Sequence, residues 1–150
     1  MKRAIAALLL GLLASSAEAE GVPIQVTADT FTVDQVKNLA TFTGNVEIIR
    51  TGLSMWADLV VVHYGAGGQT DINSLEATGN VKIKTREQQA TGRRAVFNPA
   101  TQILKLSDNV TVVGPQGTVH GPELTIDLEK NTSMFKGSDG GRVTGVFTPK

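Results

Sequence analysis

The chain has 150 residues, with 14 basic and 14 acidic side chains, and it contains no cysteine. This length suits a single domain, and a formal charge of zero gives no general electrostatic field for gathering nucleic acid. Without cysteine no disulfide can form, so we expect buried apolar side chains and strand pairing to stabilise the fold.

The first 19 residues have the features of an export signal. Lys2 and Arg3 form a basic start, residues 4–13 are apolar, and Ala17-Glu18-Ala19 matches an A-x-A cleavage site. The apolar stretch is shorter than the roughly 20 residues that cross a bilayer. We therefore interpret residues 1–19 as a cleaved signal peptide, and residues 20–150 as one soluble domain that works outside the cytoplasm.

The rest of the chain repeats a nine-residue motif. The stretch Ala40–Ile48 recurs as Leu75–Ile83 and again as Leu104–Val112. Each copy alternates between apolar and polar positions, which is typical of a strand with one buried face. A small residue follows the Asn of each copy after 12 residues. In the first and third units, the distance from the small residue to the next motif Asn is 17 residues. The unit is therefore 29 residues long and occurs four times, with one insertion of six residues near 65–70. The small residues are Ala28, Ala57, Gly92 and Gly121.

Short polar turns separate the predicted strands. They fall at residues 34–38, 51–52, 86–87, 98–102, 114–117 and 127–131. Asn and Asp at such turns favour antiparallel hairpins. After each small residue the apolar positions shift by an odd step, which requires a bend in the strand. The sequence thus predicts an all-β fold, an antiparallel twisted β-jelly-roll or open sandwich of four two-strand repeats; a β-solenoid is the alternative.

The first and last strands, residues 22–28 and 142–148, would be the edges of this sheet. Apart from Arg142 at the start of the second, neither carries charge, although charge is a common protection of strand edges. They either add to another chain as strands or fray as termini.

The sequence shows no constellation of catalytic residues and no spacing typical of metal ligands, so we expect no enzyme, metal or cofactor. His63 falls at a predicted turn position, and His120 precedes a corner residue. Residues 65–68 are interpreted as a hairpin tip rather than a phosphate loop, and Trp56 as a packing residue. Five bases form the one local charge excess, and they face solvent or, alternatively, phosphate: Lys82, Lys84, Arg86, Arg93 and Arg94.

The inward positions are aliphatic, with few aromatic residues. Such a surface forms either a packed core or, where two layers splay apart, a groove for acyl chains. Periodicity alone does not separate these two interpretations.

Several motifs are similar to the OstA-like repeat of the periplasmic lipopolysaccharide-transport bridge proteins, the LptA family. The resemblance covers essentially the whole chain and departs at Arg93-Arg94, Pro122-Glu123 and Asp108. The matching segments are Ala28–Val33, Ala57–Val62, Gly44-Asn45-Val46, Gly79-Asn80-Val81 and Gly140–Pro149.

The resemblance implies a periplasmic jelly-roll that binds lipopolysaccharide in an apolar groove. Proteins of this family stack head to tail between an inner-membrane complex and an outer-membrane translocon, here through the edge strands 22–28 and 142–148. A structural scaffold with a closed core is the alternative, and a hydrolase would need an acid–base pair. The lipid-binding residues expected from the resemblance are Phe31, Val33, Phe42, Val46, Ile48, Val60, Val62, Val81, Ile83, Phe97, Leu106, Val110, Leu124, Ile126 and Phe135.

Overall fold

The computed structural model describes residues 23–138 and 141–149, so the expected signal peptide lies outside the described residues. Within them the regular elements are all strands. They are β1 (Gln25–Thr27), β2 (Thr30–Asp34), β3 (Leu39–Arg50), β4 (Leu53–Gly65), β5 (Gly68–Thr85), β6 (Gln89–Asn98), β7 (Ile103–Gly114), β8 (Gly117–Asp127), β9 (Thr132–Lys136) and β10 (Thr144–Phe147).

One antiparallel sheet contains all ten strands. Its order is β1-β3-β4-β5-β6-β7-β8-β10, with β2 also paired to β3 and β9 also paired to β8. The long strands follow each other as hairpins, and the predicted turns between them are present. The prediction of an open antiparallel all-β fold is therefore confirmed, and the antiparallel pairing excludes the solenoid.

Every long strand bends at the same point of the repeat. The pairing register shifts between Thr43 and Val46 in β3, between Thr78 and Val81 in β5, and at the matching place in β7. The sequence predicted this bend beside the small residue, but the left-handed backbone lies in the Gly-Asn motif of the facing strand. The positive φ angles are 85° and 47° at Gly44 and Asn45, 82° and 48° at Gly79 and Asn80, and 66° and 62° at Asp108 and Asn109.

An Asp on the neighbouring strand completes each of the first two corners. The Asn45 side-chain amide donates to Asp29 Oδ2 at 2.9 Å, and Asn80 donates to Asp58 Oδ2 at 2.8 Å. The same carboxylate lies against the glycine, since a Cβ on Gly79 would be 2.6 Å from Asp58 Oδ2. Glycine is therefore required there both by its φ angle and by the absence of a side chain.

The third corner departs from this pattern in two positions together. Gly92 pairs with Val81 as Ala57 pairs with Val46, so Gly92-Arg93 occupies the place of the Ala-Asp step. The departure is therefore Arg93 in place of Asp, and not the pair Arg93-Arg94. Asp108 stands where the other corners have glycine. With no carboxylate on the facing strand, a side chain at position 108 is tolerated.

The corners divide the sheet into two layers that face each other. Layer A consists of β2, β9 and residues 39–43, 59–65, 68–78, 94–98, 103–107 and 123–127. Layer B consists of β1, β10 and residues 46–50, 53–57, 81–85, 89–92, 110–114 and 117–121. Both layers contribute to one hydrophobic core, for example through Val60 and Leu106 from layer A and Val46 and Ile83 from layer B. The side opposite the corners, where the hairpin turns of both layers lie, is called the lip below.

The prediction that His63 occupies a turn is wrong. His63 lies within β4, in register with Leu39 on one side and Ser74 on the other. The six-residue insertion lengthens β4 and β5, so strand pairing continues past His63 to a turn at residues 66–67. The hairpin tip at residues 65–68 is where the sequence predicted it.

Each end of the sheet exposes two edge strands rather than one. β1 and β10 end the strand order, as predicted, but β2 and β9 are edges as well. The reason is the corner, which interrupts the edge strand and leaves a short piece in each layer.

We predict that Gly79→Ala lowers the free energy of unfolding more than Gly52→Ala. Both glycines have φ near +80°, but a Cβ on Gly52 meets nothing within 4 Å. Gly52→Ala should cost about 1–2 kcal/mol for the left-handed backbone. Gly79→Ala adds the clash with Asp58, for which overpacking suggests about 1–3 kcal/mol more. Urea denaturation of both variants measures this difference, and equal losses would contradict the role of the Asp58 carboxylate.

Candidate functional site

The lip contains a cavity of about 300 Å³ between the two layers. Its walls are the β3–β4 and β5–β6 turns of layer B and, facing them, the β8–β9 region of layer A. Polar side chains surround its mouth. Its floor is apolar and consists of Leu53, Ile83, Ala90, Ile126 and Leu128.

Ten of the fifteen lipid-binding residues expected from the sequence lie in the packed core. Their exposed fractions are between 0 and 6 %, and they pack together in one cluster. Ile83 alone among these ten also lines the cavity. The ten are Val46, Ile48, Val60, Val62, Val81, Ile83, Phe97, Leu106, Val110 and Leu124.

The other five expected residues bring the apolar interior to the surface. Phe31 is 55 % exposed on the edge strand β2, and its ring stacks on Phe42 at 4.6 Å between centroids. Val33 is exposed on the same strand. At the opposite end of the sheet, Ile126 and Phe135 are half-buried in β8 and β9. The inward faces of the layers therefore remain accessible at both edges.

Arg50 is a site residue that the sequence analysis missed. It points into the sandwich, where its Cζ lies 5.7 Å from the centroid of the Phe97 ring, and it lines the cavity. Its Nη1 atom is buried and has no hydrogen-bond partner among the described residues. The signal was in the alternation: Val46, Ile48 and Arg50 share the inward parity of β3, whereas Ile49 is exposed.

Trp56 lies on the outer face of layer B, in a row of cross-strand partners. Its Nε1 donates to Glu47 Oε2 at 2.8 Å, and Lys82 Nζ lies 5.5 Å from its ring centroid. These contacts tie three neighbouring strands together and agree with a structural role for the tryptophan.

The five bases of the local charge excess do not form one site. Lys82 stacks on Trp56, and Arg94 pairs with Glu76 at 3.0 Å on the outer face. Of the five, Arg86 alone lines the cavity at the lip. Whether any of the five meets phosphate stays a hypothesis.

The described residues contain neither a metal-binding cluster nor a membrane-spanning helix. No group of three His, Cys, Asp or Glu side chains in residues 23–138 and 141–149 is arranged to hold a metal ion. In the same part of the chain no helix is long and apolar enough to cross a membrane. His120 is hydrogen-bonded through Nδ1 to the Thr111 hydroxyl at 2.8 Å, on the exposed side of β8.

Comparison with protein families gives a match over residues 25–132 to the family described as LptA/(LptD N-terminal domain) LPS transport protein. This span is more than half of the chain and includes three of the four repeats. The chain belongs to this family. The resemblance stated from the Gly-Asn-Val and Ala-Asp motifs is thereby confirmed.

Two individual proteins are similar to this chain over most of its length. An uncharacterized protein of Rhizobium meliloti (strain 1021) is 28 % identical over 98 % of this chain and 89 % of its own length. The lipopolysaccharide export system protein LptA of Haemophilus influenzae is 25 % identical over 85 % of this chain and 77 % of its own.

A solved structure has the same fold. The crystal structure of LptH, the LptA homologous periplasmic component of the lipopolysaccharide transport device of Pseudomonas aeruginosa, superposes with a TM-score of 0.74. The match covers 85 % of this chain and 96 % of LptH at 17 % sequence identity. At this identity the likeness establishes the β-jelly-roll fold alone.

Proposed function

We propose that this protein carries lipopolysaccharide through the periplasm by enclosing its acyl chains between the two layers. The observation that carries the proposal is the continuous apolar interior, which opens at the lip and is accessible at both edges of the sheet. Exposing an acyl chain to water costs roughly 0.8 kcal/mol per CH₂ group. A uniformly apolar interior removes most of that cost. The free energy of the acyl chain then changes little as it moves along the interior.

Binding in this way requires the layers to separate at the lip, because ten of the expected lining residues are packed together. The bonding pattern favours such a motion. In the described part of the chain, hydrogen bonds at the lip turns run within one layer, such as Tyr64 N–H to Asn38 O in layer A and Thr148 N–H to Gln116 O in layer B. Apolar contacts hold the two layers together at the lip, and an acyl chain can replace these contacts with apolar contacts of its own.

The edge strands supply the basis for assembly, the second part of the proposal. β1 and β2 at one end, and β9 and β10 at the other, pair with the sheet on one side only. Exposed apolar side chains accompany both ends: Phe31 and Val33 at the first, and Met134, Val146 and Phe147 at the second. We propose that copies stack head to tail by strand addition, and that the terminal copies meet membrane-anchored and outer-membrane partners through the same edges.

Photo-cross-linking to lipopolysaccharide tests the carrier. We expect benzoylphenylalanine at Phe135 or Phe42 to form adducts, because both side chains face the interior opposite Leu124 and Val60. The matched controls are Met134 and Thr43, which are the adjacent, exposed, outward residues on the same strands. They should give few adducts, and mass spectrometry identifies the lipid.

Equal labelling at inward and outward positions would contradict enclosure of the lipid. No labelling at any position would favour the alternative, a scaffold module with a closed core. Charged substitutions at Val46 or Val81 are unsuitable for this test, since both are 1 % exposed and a buried charge would unfold the protein.

For assembly, we predict that the double variant Val146→Lys/Phe147→Lys remains monomeric at protein concentrations where the native chain associates. The introduced charges repel an incoming edge strand. Sedimentation velocity over a concentration series measures association. Val36→Lys, which changes a 94 % exposed residue in the β2–β3 turn, is the control and should associate like the native chain. Unchanged association of the double variant would exclude β10 from the interface.

A further inference from the structure

Arg50 lies against an aromatic ring and has a buried donor nitrogen, unlike a surface arginine in a salt bridge. Its guanidinium Cζ lies over the Phe97 ring, 5.7 Å from the ring centroid, between the two layers. One of its donor nitrogens is buried without a partner among the described residues. A buried charged donor without an acceptor is costly, so an anion or another acceptor that reached this nitrogen would be bound favourably.

The cavity beside Arg50 has two chemically distinct parts. Leu53, Ile83, Ala90, Ile126 and Leu128 form an apolar floor that continues into the core. The mouth is polar, and its charged side chains are Arg50, Arg86 and Glu87, with a net charge of +1. An apolar floor below a cationic mouth fits an amphiphile with one anionic group, and neither a sugar nor a neutral lipid makes use of both parts.

We propose that Arg50 anchors a phosphate group of the carried lipid at the lip while an acyl chain of the same molecule lies on the cavity floor. This inference rests on the proposed function and specifies its headgroup contact. Guanidinium is suited to this task because its planar fork donates two parallel hydrogen bonds to phosphate oxygens. The contact with Phe97 already restricts the Arg50 side chain, so less side-chain freedom is lost on binding.

Two detergents with the same dodecyl tail but different headgroups separate the contribution of the headgroup to the affinity from that of the tail. Dodecyl phosphate and dodecyl maltoside are titrated below their micelle concentrations into the full-length native protein and followed by isothermal titration calorimetry. We expect dodecyl phosphate to bind roughly tenfold more tightly, which corresponds to one charge-assisted contact. Arg50→Gln should remove this preference and leave the affinity for dodecyl maltoside unchanged.

Arg94→Gln is the matched control. It removes the same charge from an outer-face arginine that pairs with Glu76, and it should keep the roughly tenfold preference. Loss of the preference in Arg94→Gln as well would overturn the assignment to Arg50, since any lost positive charge would then suffice.

A second measurement on the native protein needs no substitution. The side-chain ¹⁵N resonance of Arg50 should shift on addition of dodecyl phosphate and remain in place with the same concentration of inorganic phosphate. An equal shift with inorganic phosphate would overturn the proposal in favour of a free-phosphate site.

The outcomes also separate this inference from the carrier function. Equal affinity for the two detergents in the native protein would overturn the Arg50 anchor and leave an acyl-chain carrier in place. Failure of both detergents to bind would overturn the anchor and the carrier together.

Discussion

The corner formed by two consecutive left-handed residues, reinforced in the first two repeats by a facing carboxylate, is the local constraint on which the architecture depends. Without it, hairpins of period two would form one flat sheet with a single apolar face in water. Two consecutive residues with positive φ turn each of the strands β3, β5 and β7. Because these three strands bend at the same place of the repeat, the two halves of the sheet come to face each other over one core.

This construction leaves the two layers unequally connected. At the corners the backbone is continuous, and at the first two of them an Asn–Asp hydrogen bond reinforces it. At the lip, apolar packing and the Arg50–Phe97 contact join the layers. A molecule that is rigid along one side and held by apolar contacts along the other can open about the corners without breaking its strand pairing. That property is what the proposed carriage of acyl chains requires.

Much of the fold was predictable from the sequence, because a nine-residue motif occurs three times and each copy independently supports the same secondary structure. The alternation in Ala40–Ile48 predicted a strand, and its recurrence predicted an array. What the alternation could not provide was the backbone conformation at the corner. The small residue Ala57 seemed the natural place for a bend, whereas the left-handed residues are Gly79 and Asn80 across from it.

Of the candidate site, the sequence predicted which residues face inward but not how tightly they pack. Inward parity is the same for a core residue such as Leu106 and for a lip residue such as Ile126. His63 was misplaced because a six-residue insertion extended the strands rather than the loop. Arg50 was missed because it has no neighbouring base in the sequence and so belongs to no local charge cluster. It is distinguished by its contact with Phe97, which is distant in sequence.

Separation of the layers on binding is the central claim, and a distance across the lip tests it most directly. The chain lacks cysteine, so spin labels can be placed at Thr51 in layer B and Asn131 in layer A without removing native thiols. Double electron–electron resonance should give a longer Thr51–Asn131 distance when lipopolysaccharide binds, while a Thr51–Glu87 distance within layer B stays constant. An unchanged Thr51–Asn131 distance in the lipid-bound protein would contradict the account.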